Sequence, residues 1–137
     1  MDMPSLEKFC TINADMGMRI IGHAPGGMRI DFPFEGTASG PHWEGERLVS
    51  GTDYVTVRGD GNMDLDIRAS IGEKRDTVSY RGIGVSIANP DKSAEPRELL
   101  TFQTGNEDLG WLNNEVGVAF GRGEGGKLTV DVYLVRP

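Results

Sequence analysis

Residues 36–68, GTASGPHWEGERLVSGTDYVTVRGDGNMDLDIR, carry the pattern that decides the fold. Gly40-Pro41, Gly45, Gly51 and Asp60-Gly61 punctuate the stretch at intervals of roughly five to ten residues, the spacing of short antiparallel strands joined by tight turns. Before the Asp60-Gly61 turn, Val55 and Val57 alternate with Tyr54, Thr56 and Arg58. After it, Met63, Leu65, Ile67, Ala69 and Ile71 alternate with Asp64, Asp66, Arg68 and Ser70. Successive side chains of a strand point to opposite faces, so each run has one apolar and one polar face, and the turn folds the two runs into a hairpin. The charged face either meets solvent or lines a polar cavity, and periodicity alone does not separate the two.

The flanking sequence continues in the same style. Residues 5–14, SLEKFCTINA, read as a strand that starts near Lys8. Arg19–Ala24 and Met28–Phe34 flank the turn signal Pro25-Gly26-Gly27 as a hairpin, with Met28, Ile30 and Phe32 on one face. Val78–Ile87 is rich in β-formers and is interrupted by Gly82 and Gly84, as a strand bending at a barrel corner is. Asn89–Pro96 reads as an exposed loop and Leu99–Gln103 as a short strand. Residues 106–113 offer capping side chains but too few periodic apolar positions for more than one or two helical turns, which plug or cross one end of the sheet. Val116–Phe120 and Leu128–Val135 form a last hairpin, with Leu128, Val130, Val132 and Leu134 on one face. Eight to ten strands result, enough to close a single antiparallel β-barrel over residues 1–137.

The whole-chain numbers agree with an all-β domain. Its 20 glycines and 7 prolines are spread along 137 residues and not gathered in a linker, which calls for many turns and few long helices. A chain of this length buries a core without help from disulfides or metal. The formal net charge of −7, with no run of Lys and Arg, repels phosphate backbones and anionic bilayers and argues against a nucleic-acid or membrane partner. Nothing approaches the roughly 20 apolar residues of a membrane-spanning helix. Cys10 has no partner for an internal disulfide, and the first residues lack the basic and apolar regions of a secretory signal, so a reducing, cytoplasmic setting is expected.

Several short motifs lead nowhere on their own. Residues 121–126, GRGEGG, resemble a phosphate-binding loop but lack the Lys-Ser/Thr ending and run into a strand instead of a helix, so a hairpin tip is the better reading. Asp60, Asn62 and Asp64 have the spacing of calcium-loop oxygens, yet Leu65 and Ile71 stand where that loop needs glycine and glutamate. Arg58-Gly59-Asp60 spells an adhesion tripeptide by coincidence. His23, His42 and Cys10 make a metal site only if the fold gathers them, and they read as structural or surface side chains. No Gly-x-Ser-x-Gly elbow is present. Neither a metal nor a cofactor is expected.

The polar strand face remains: Asp53, Tyr54, Arg58, Asp60, Asp64, Asp66 and Arg68. Arginines among carboxylates hold one another ionised, or leave one carboxylate desolvated with a raised pKa, suited to general acid or base work. A solvated strand face gives the same pattern. Tyr80, Trp111 and Tyr133 are candidate walls of an aromatic cavity, and serve equally as core fillers.

The ordered pieces resemble a widespread bacterial and fungal family of small calycin-like β-barrel proteins, long catalogued as a domain of unknown function. The matching pieces are Gly36 with Gly40-Pro41 and Gly45, Ser50-Gly51-Thr52-Asp53-Tyr54, Arg58 with Asp60-Gly61, Leu65-Asp66-Ile67-Arg68, Tyr80 with Gly82, Phe102-Gln103-Thr104-Gly105, Trp111-Leu112-Asn113, and Asp131-Val132-Tyr133. They cover nearly the whole chain from about Leu6 onward, and their order is more specific than any one of them. The family often has Gly-Gly-x-Asp-Trp where this chain has Ser50-Gly51-Thr52-Asp53-Tyr54, and Arg75–Thr101 is shorter and less regular than in the family. The resemblance implies a closed antiparallel barrel with Asp53, Arg58, Asp66, Arg68, Trp111 and Asn113 near one cavity. It also brings an association with a lyase or mutase acting on hydroxylamino-aromatic acids, such as a hydroxylaminobenzoate lyase.

Three functional readings stand at this point. The first is a cofactor-independent lyase, isomerase or cyclase of secondary or aromatic metabolism that holds an aromatic or polyketide-like metabolite in the barrel. In it Asp53 or Asp66 transfers the proton, Arg58 and Arg68 anchor a carboxylate or enolate oxygen, Tyr80 and Trp111 pack a ring, and Asn113 and Tyr133 complete the ligand site. The second is a carrier barrel that binds a small hydrophobic molecule without chemistry. The third is a homo-oligomeric structural partner that uses an exposed sheet face and has a filled barrel.

Overall fold

The computed structural model of the chain describes residues 2–137. Its strands are β1 (Ser5–Met16), β2 (Arg19–Ala24), β3 (Gly27–Ser39), β4 (Arg47–Val57), β5 (Met63–Ile71), β6 (Val78–Ala88), β7 (Ala94–Thr104), β8 (Val116–Glu124) and β9 (Lys127–Arg136), with 3₁₀ segments at Lys74–Asp76 and Glu107–Asn114. They form one antiparallel sheet in the order β1-β9-β8-β7-β6-β5-β4-β3-β2, and β1 pairs also with β3. That second pairing, from Thr11↔Ser39 to Met16↔Phe34, closes eight strands into a barrel and leaves β2 as an extra strand. The closed all-β barrel expected from the sequence is the fold observed.

β2 prolongs β1 past the barrel. Arg19↔Asp31 and Ile20↔Ile30 keep the register of Met16↔Phe34, so β1 and β2 form one ribbon against β3. β9 begins opposite Asp15, which leaves β2 paired on one side only. The β2–β3 ribbon therefore stands above one rim of the barrel.

The inward faces of the barrel strands are largely apolar, in the alternation that period two demands. Phe9, Ile12, Phe34, Val49, Val55 and Leu134 are buried members of a single core. Closure needs a very close approach of β1 to β3 at Gly36, where an added Cβ would lie 1.9 Å from the Asn13 carbonyl oxygen. At the other end, Phe9 sits in a nest of rings, its centroid 5.6 Å from Trp43 and from Phe102 and 6.5 Å from Trp111. The Glu107–Asn114 segment brings Trp111 to this nest, buries Leu109 and Leu112 in the core, and starts from Asn106, whose side chain accepts the Asp108 N–H. It is the plug that its capping residues announce.

Strand boundaries differ from the sequence reading in one informative place. β7 starts at Ala94, so the last three residues of the expected Asn89–Pro96 loop belong to the barrel wall. Proline in a strand gives up a ladder hydrogen bond, and the β7–β8 register accordingly skips Glu95 and Pro96. The loop proper is a tight turn in which Asn89 N–H donates to the Ser93 carbonyl at 2.9 Å and Asp91 accepts the Ser93 N–H at 2.9 Å. β1, β3 and β4 are also longer than their apolar cores suggested, because ladder pairing continues through polar residues.

Gly36→Val is expected to lower the thermal midpoint by about 10 °C or more, because the β1–β3 seam has no room for a side chain. Gly59→Ala, at a site with nothing within 4 Å, is the control. Calorimetry that finds the two variants equally stable contradicts this account of closure.

Candidate active site

Parity selects which polar side chains enter the barrel. Asp53 follows Val49 and Gly51 and precedes Val55 on the inward face of β4. Glu98 lies between Pro96 and Leu100 on that of β7, and Tyr80 and Ser86 share the inward face of β6 with Val78 and Gly82. All four line a cavity of about 90 Å³ whose other walls are apolar, among them Phe34, Val55, Leu65, Ile67 and Val130. The cavity reaches Met16, Met63, Gly123 and Leu128, at the rim opposite the aromatic plug. Among the described residues no Lys, Arg or His lines it.

Two carboxyls without a counter-charge in an apolar space are held toward their neutral forms. Asp53 is pushed up to about 7, chiefly by burial; the Asp66 N–H opposes this and the Asp66 charge adds to it. That N–H donates to Asp53 Oδ1 at 3.3 Å, in a part of the β4–β5 ladder where regular pairing lapses between Asp53↔Ile67 and Thr56↔Asp64. Glu98 is pushed up to about 8, first by burial and then by the charge of Asp53. It lies over Gly82, where an added Cβ would come 3.5 Å from Glu98 Oε1 and 2.8 Å from Leu100 Cδ2. The Tyr80 phenol is held well above its ordinary range by burial and by Glu98, so it stays a proton donor in hydrogen bonds. Ser86 is 3% exposed, and its Oγ has no hydrogen-bond partner among the described residues.

Of the residues expected at one cavity, Asp53 and Tyr80 alone line the lumen; the others are dispersed. Asp66 and Arg68 alternate with the buried Leu65 and Ile67 and so face outward, Asp66 Oδ1 standing 3.8 Å from Arg81 Nε. Arg58 clamps the β4–β5 turn, 2.7 Å from Asp60 and 3.2 Å from Asp64, which also engages two of the calcium-loop-like oxygens. Trp111 belongs to the plug, 4.9 Å from the His42 ring. Asn113 is a latch: it accepts the Thr104 N–H at 2.7 Å and donates to the Thr104 carbonyl at 2.9 Å. Arg68 and Asn113 both line a second, larger depression of about 850 Å³ on the outer surface, together with Tyr80, Arg81 and Gln103. Tyr133 lies on the outside of β9, with Lys8 Nζ 5.2 Å from its ring. His23 is exposed on β2, and Cys10 is buried in the core. Among the described residues no group of three or more His, Cys, Asp or Glu side chains is placed to hold a metal ion, and no helix is long and apolar enough to cross a membrane.

Glu98 and Ser86 were not anticipated. The signal for both is parity, since each polar residue occupies a slot in an apolar series, Glu98 with Leu100 and Phe102, Ser86 with Val78 and Tyr80. Asp53 carries the same mark, sharing its face with Val55 and not with Tyr54 and Arg58.

The raised carboxyls set a pH dependence of stability. Between about pH 4 and pH 8 the folded protein keeps protons that the unfolded chain has released, so stability falls as pH rises through this window. The thermal midpoint is expected to be lower at about pH 9 than at about pH 5.5, and Asp53→Asn with Glu98→Gln is expected to flatten that slope. A wild-type midpoint that rises steadily with pH over the same range contradicts the assignment.

The same architecture recurs in solved structures. A β-barrel-like protein of Acinetobacter baumannii is 19% identical, with a TM-score of 0.85 over 99% of this chain and 98% of its own. A conserved protein of unknown function from Rhodopseudomonas palustris is 21% identical, with a TM-score of 0.82 over 98% and 99%. An enzyme from Penicillium herquei is 20% identical, with a TM-score of 0.69 over 99% and 97%. At such identities the likeness is one of fold. No curated protein matches the sequence, and none of these solved structures is described as a hydroxylaminobenzoate lyase. The family model described as "Protein of unknown function (DUF3237)" matches residues 4–135, nearly the entire barrel, and the chain belongs to that family.

Proposed function

We propose that the protein is a cofactor-independent enzyme of small-molecule metabolism that moves a proton on an apolar, aromatic or polyketide-like metabolite held in the barrel, in a lyase, isomerase or cyclase step. The observation that carries this reading is the placement of Asp53 and Glu98 in one apolar cavity that no cation lines among the described residues, where burial raises both carboxyls toward neutrality. Raised carboxyls near neutrality are what general acid–base chemistry at physiological pH requires. That one structural neighbour is described as an enzyme fits the reading.

The roles follow from the surroundings of each carboxyl. Asp53, whose Oδ1 accepts the Asp66 N–H, has its ionised form stabilised and is the base: it takes a proton from an acidic C–H or O–H of the ligand. Glu98, raised by burial and by the charge of Asp53, is the acid and gives its proton to the oxygen or carbon where negative charge develops. Tyr80 donates a hydrogen bond to that same charge. The step is balanced within the ligand and the pair, and exchange with water restores the starting protonation. Base ionised and acid protonated coexist only in a narrow window, so the rate should rise through about pH 7 and fall above about pH 8, values that belong to the pair as a unit. The arginines outside the barrel have no part in this scheme.

The test is deuterium exchange at the acidic C–H of a panel of uncharged aryl ketones in D₂O, followed by mass spectrometry. Wild-type protein is expected to accelerate exchange on at least one member, and Asp53→Asn to reduce the rate about 100-fold or more while remaining folded. Binding of the same compounds without any exchange would favour a carrier barrel, and a folded Asp53→Asn protein as fast as wild type would remove Asp53 from the mechanism.

A further inference from the structure

Building on the proton-transfer reading, we infer that the lumen takes the uncharged, oxygen-bearing end of its ligand and excludes carboxylates, so that the substrate is a neutral phenol or ketone and not an aromatic acid. The polar inventory of the cavity is two carboxyls, a phenol and a hydroxyl, and among the described residues no cation lines it. A carboxylate ligand entering there would lose its water, meet no positive charge and face two groups that repel it once ionised. A neutral oxygen meets the opposite situation. The Ser86 Oγ is buried without a partner, and a buried unpaired hydroxyl costs free energy until something hydrogen-bonds to it. Ser86 pairs with Met63 on β5 and with Pro96 on β7, so it stands between the rim and the carboxyl pair, where an entering oxygen passes. Burial also holds both carboxyls toward their neutral forms, so an ammonium group gains no settled counter-charge either.

Size and surroundings point the same way. About 90 Å³ is less than the roughly 150 Å³ that houses a benzene ring, so the cavity holds the tip of a molecule whose body lies toward the mouth. The mouth is apolar: Met16, Met63 and Leu128 line it, and unbranched methionines adapt to the shape of a guest. Above the rim, Ile20 is 66% exposed and pairs with Ile30. Ile30 in turn pairs with Val55 of the lumen wall, so the projecting ribbon presents an apolar face in line with the cavity.

Fluorescence titration at pH 7 with 2-naphthol, 2-naphthoate and 2-naphthylmethylammonium tests this directly. The naphthol is expected to bind at least about tenfold more tightly than either ion, Ser86→Ala to weaken it about tenfold by loss of one hydrogen bond, and Asp53→Asn with Glu98→Gln to narrow the gap between naphthol and naphthoate by removing the repulsion. Naphthoate or the ammonium binding wild type as tightly as the naphthol overturns the inference, as does failure of all three to bind. If the double variant does not fold, the wild-type ranking and Ser86→Ala decide. The failures are separable: preference for the naphthol with no deuterium exchange on any neutral ketone leaves this inference standing and removes the catalytic reading, whereas exchange together with naphthoate binding does the reverse.

Discussion

Pairing of β1 with β3 turns a sheet into a vessel. Without the seam from Thr11↔Ser39 to Met16↔Phe34, the inward face of every strand would need a second layer, and among the described residues no helix is long enough to supply one. Closure removes both free edges of the eight-stranded wall and leaves β2 paired on a single side. The seam depends on Gly36, because any side chain there meets the backbone of β1. It also fixes polarity along the barrel axis. The aromatic nest around Phe9 and the Glu107–Asn114 segment close one end, while the β2–β3 ribbon rises from the other.

The interior so formed is apolar enough that any polar group within it is conspicuous energetically. Among the described residues no cation lines the cavity to offset the desolvation of Asp53 and Glu98, and the charge of Asp53 raises Glu98 further. Natural barrels fill such positions with Leu or Val when only stability matters, since volume and apolarity suffice for a core. Two carboxyls, a phenol and an unpaired hydroxyl in one small cavity therefore weaken the fold locally, which is the pattern expected where a site is maintained at the expense of stability. The ion pairs of the outer surface, such as Arg58 with Asp60 and Asp64, involve exposed side chains of the kind that contributes little to stability.

The fold was legible because its main signal is local. Alternation in Met63–Ile71 and Leu128–Val135, glycine-marked turns and a poorly periodic capped segment each specify structure within a few residues. Site membership is harder to read, because it depends on the face as well as on the residue type. Clustering of charge drew attention to Asp64, Asp66 and Arg68, yet their alternation with Leu65 and Ile67 is the reason they face solvent. Asp53 belonged to the same apparent cluster but lies on the opposite parity. Glu98 was hidden by Pro96, which made the start of β7 look like loop. Trp111, Asn113 and Tyr133 could be placed only by the long-range packing of the plug and the outer wall. A carboxylate inside an apolar period-two series is the more informative signal in a barrel of this kind.

The central claim is that the lumen holds two carboxyls in an uncompensated apolar environment. Titration of the side-chain carboxyl resonances of Asp53 and Glu98 by NMR, assigned with Asp53→Asn and Glu98→Gln, measures it most directly. The account predicts apparent midpoints near 7 and 8, with Asp53→Asn lowering the midpoint of Glu98. Two independent midpoints near 4, unaffected by either substitution, would mean that both groups are solvated and uncoupled, and would contradict it.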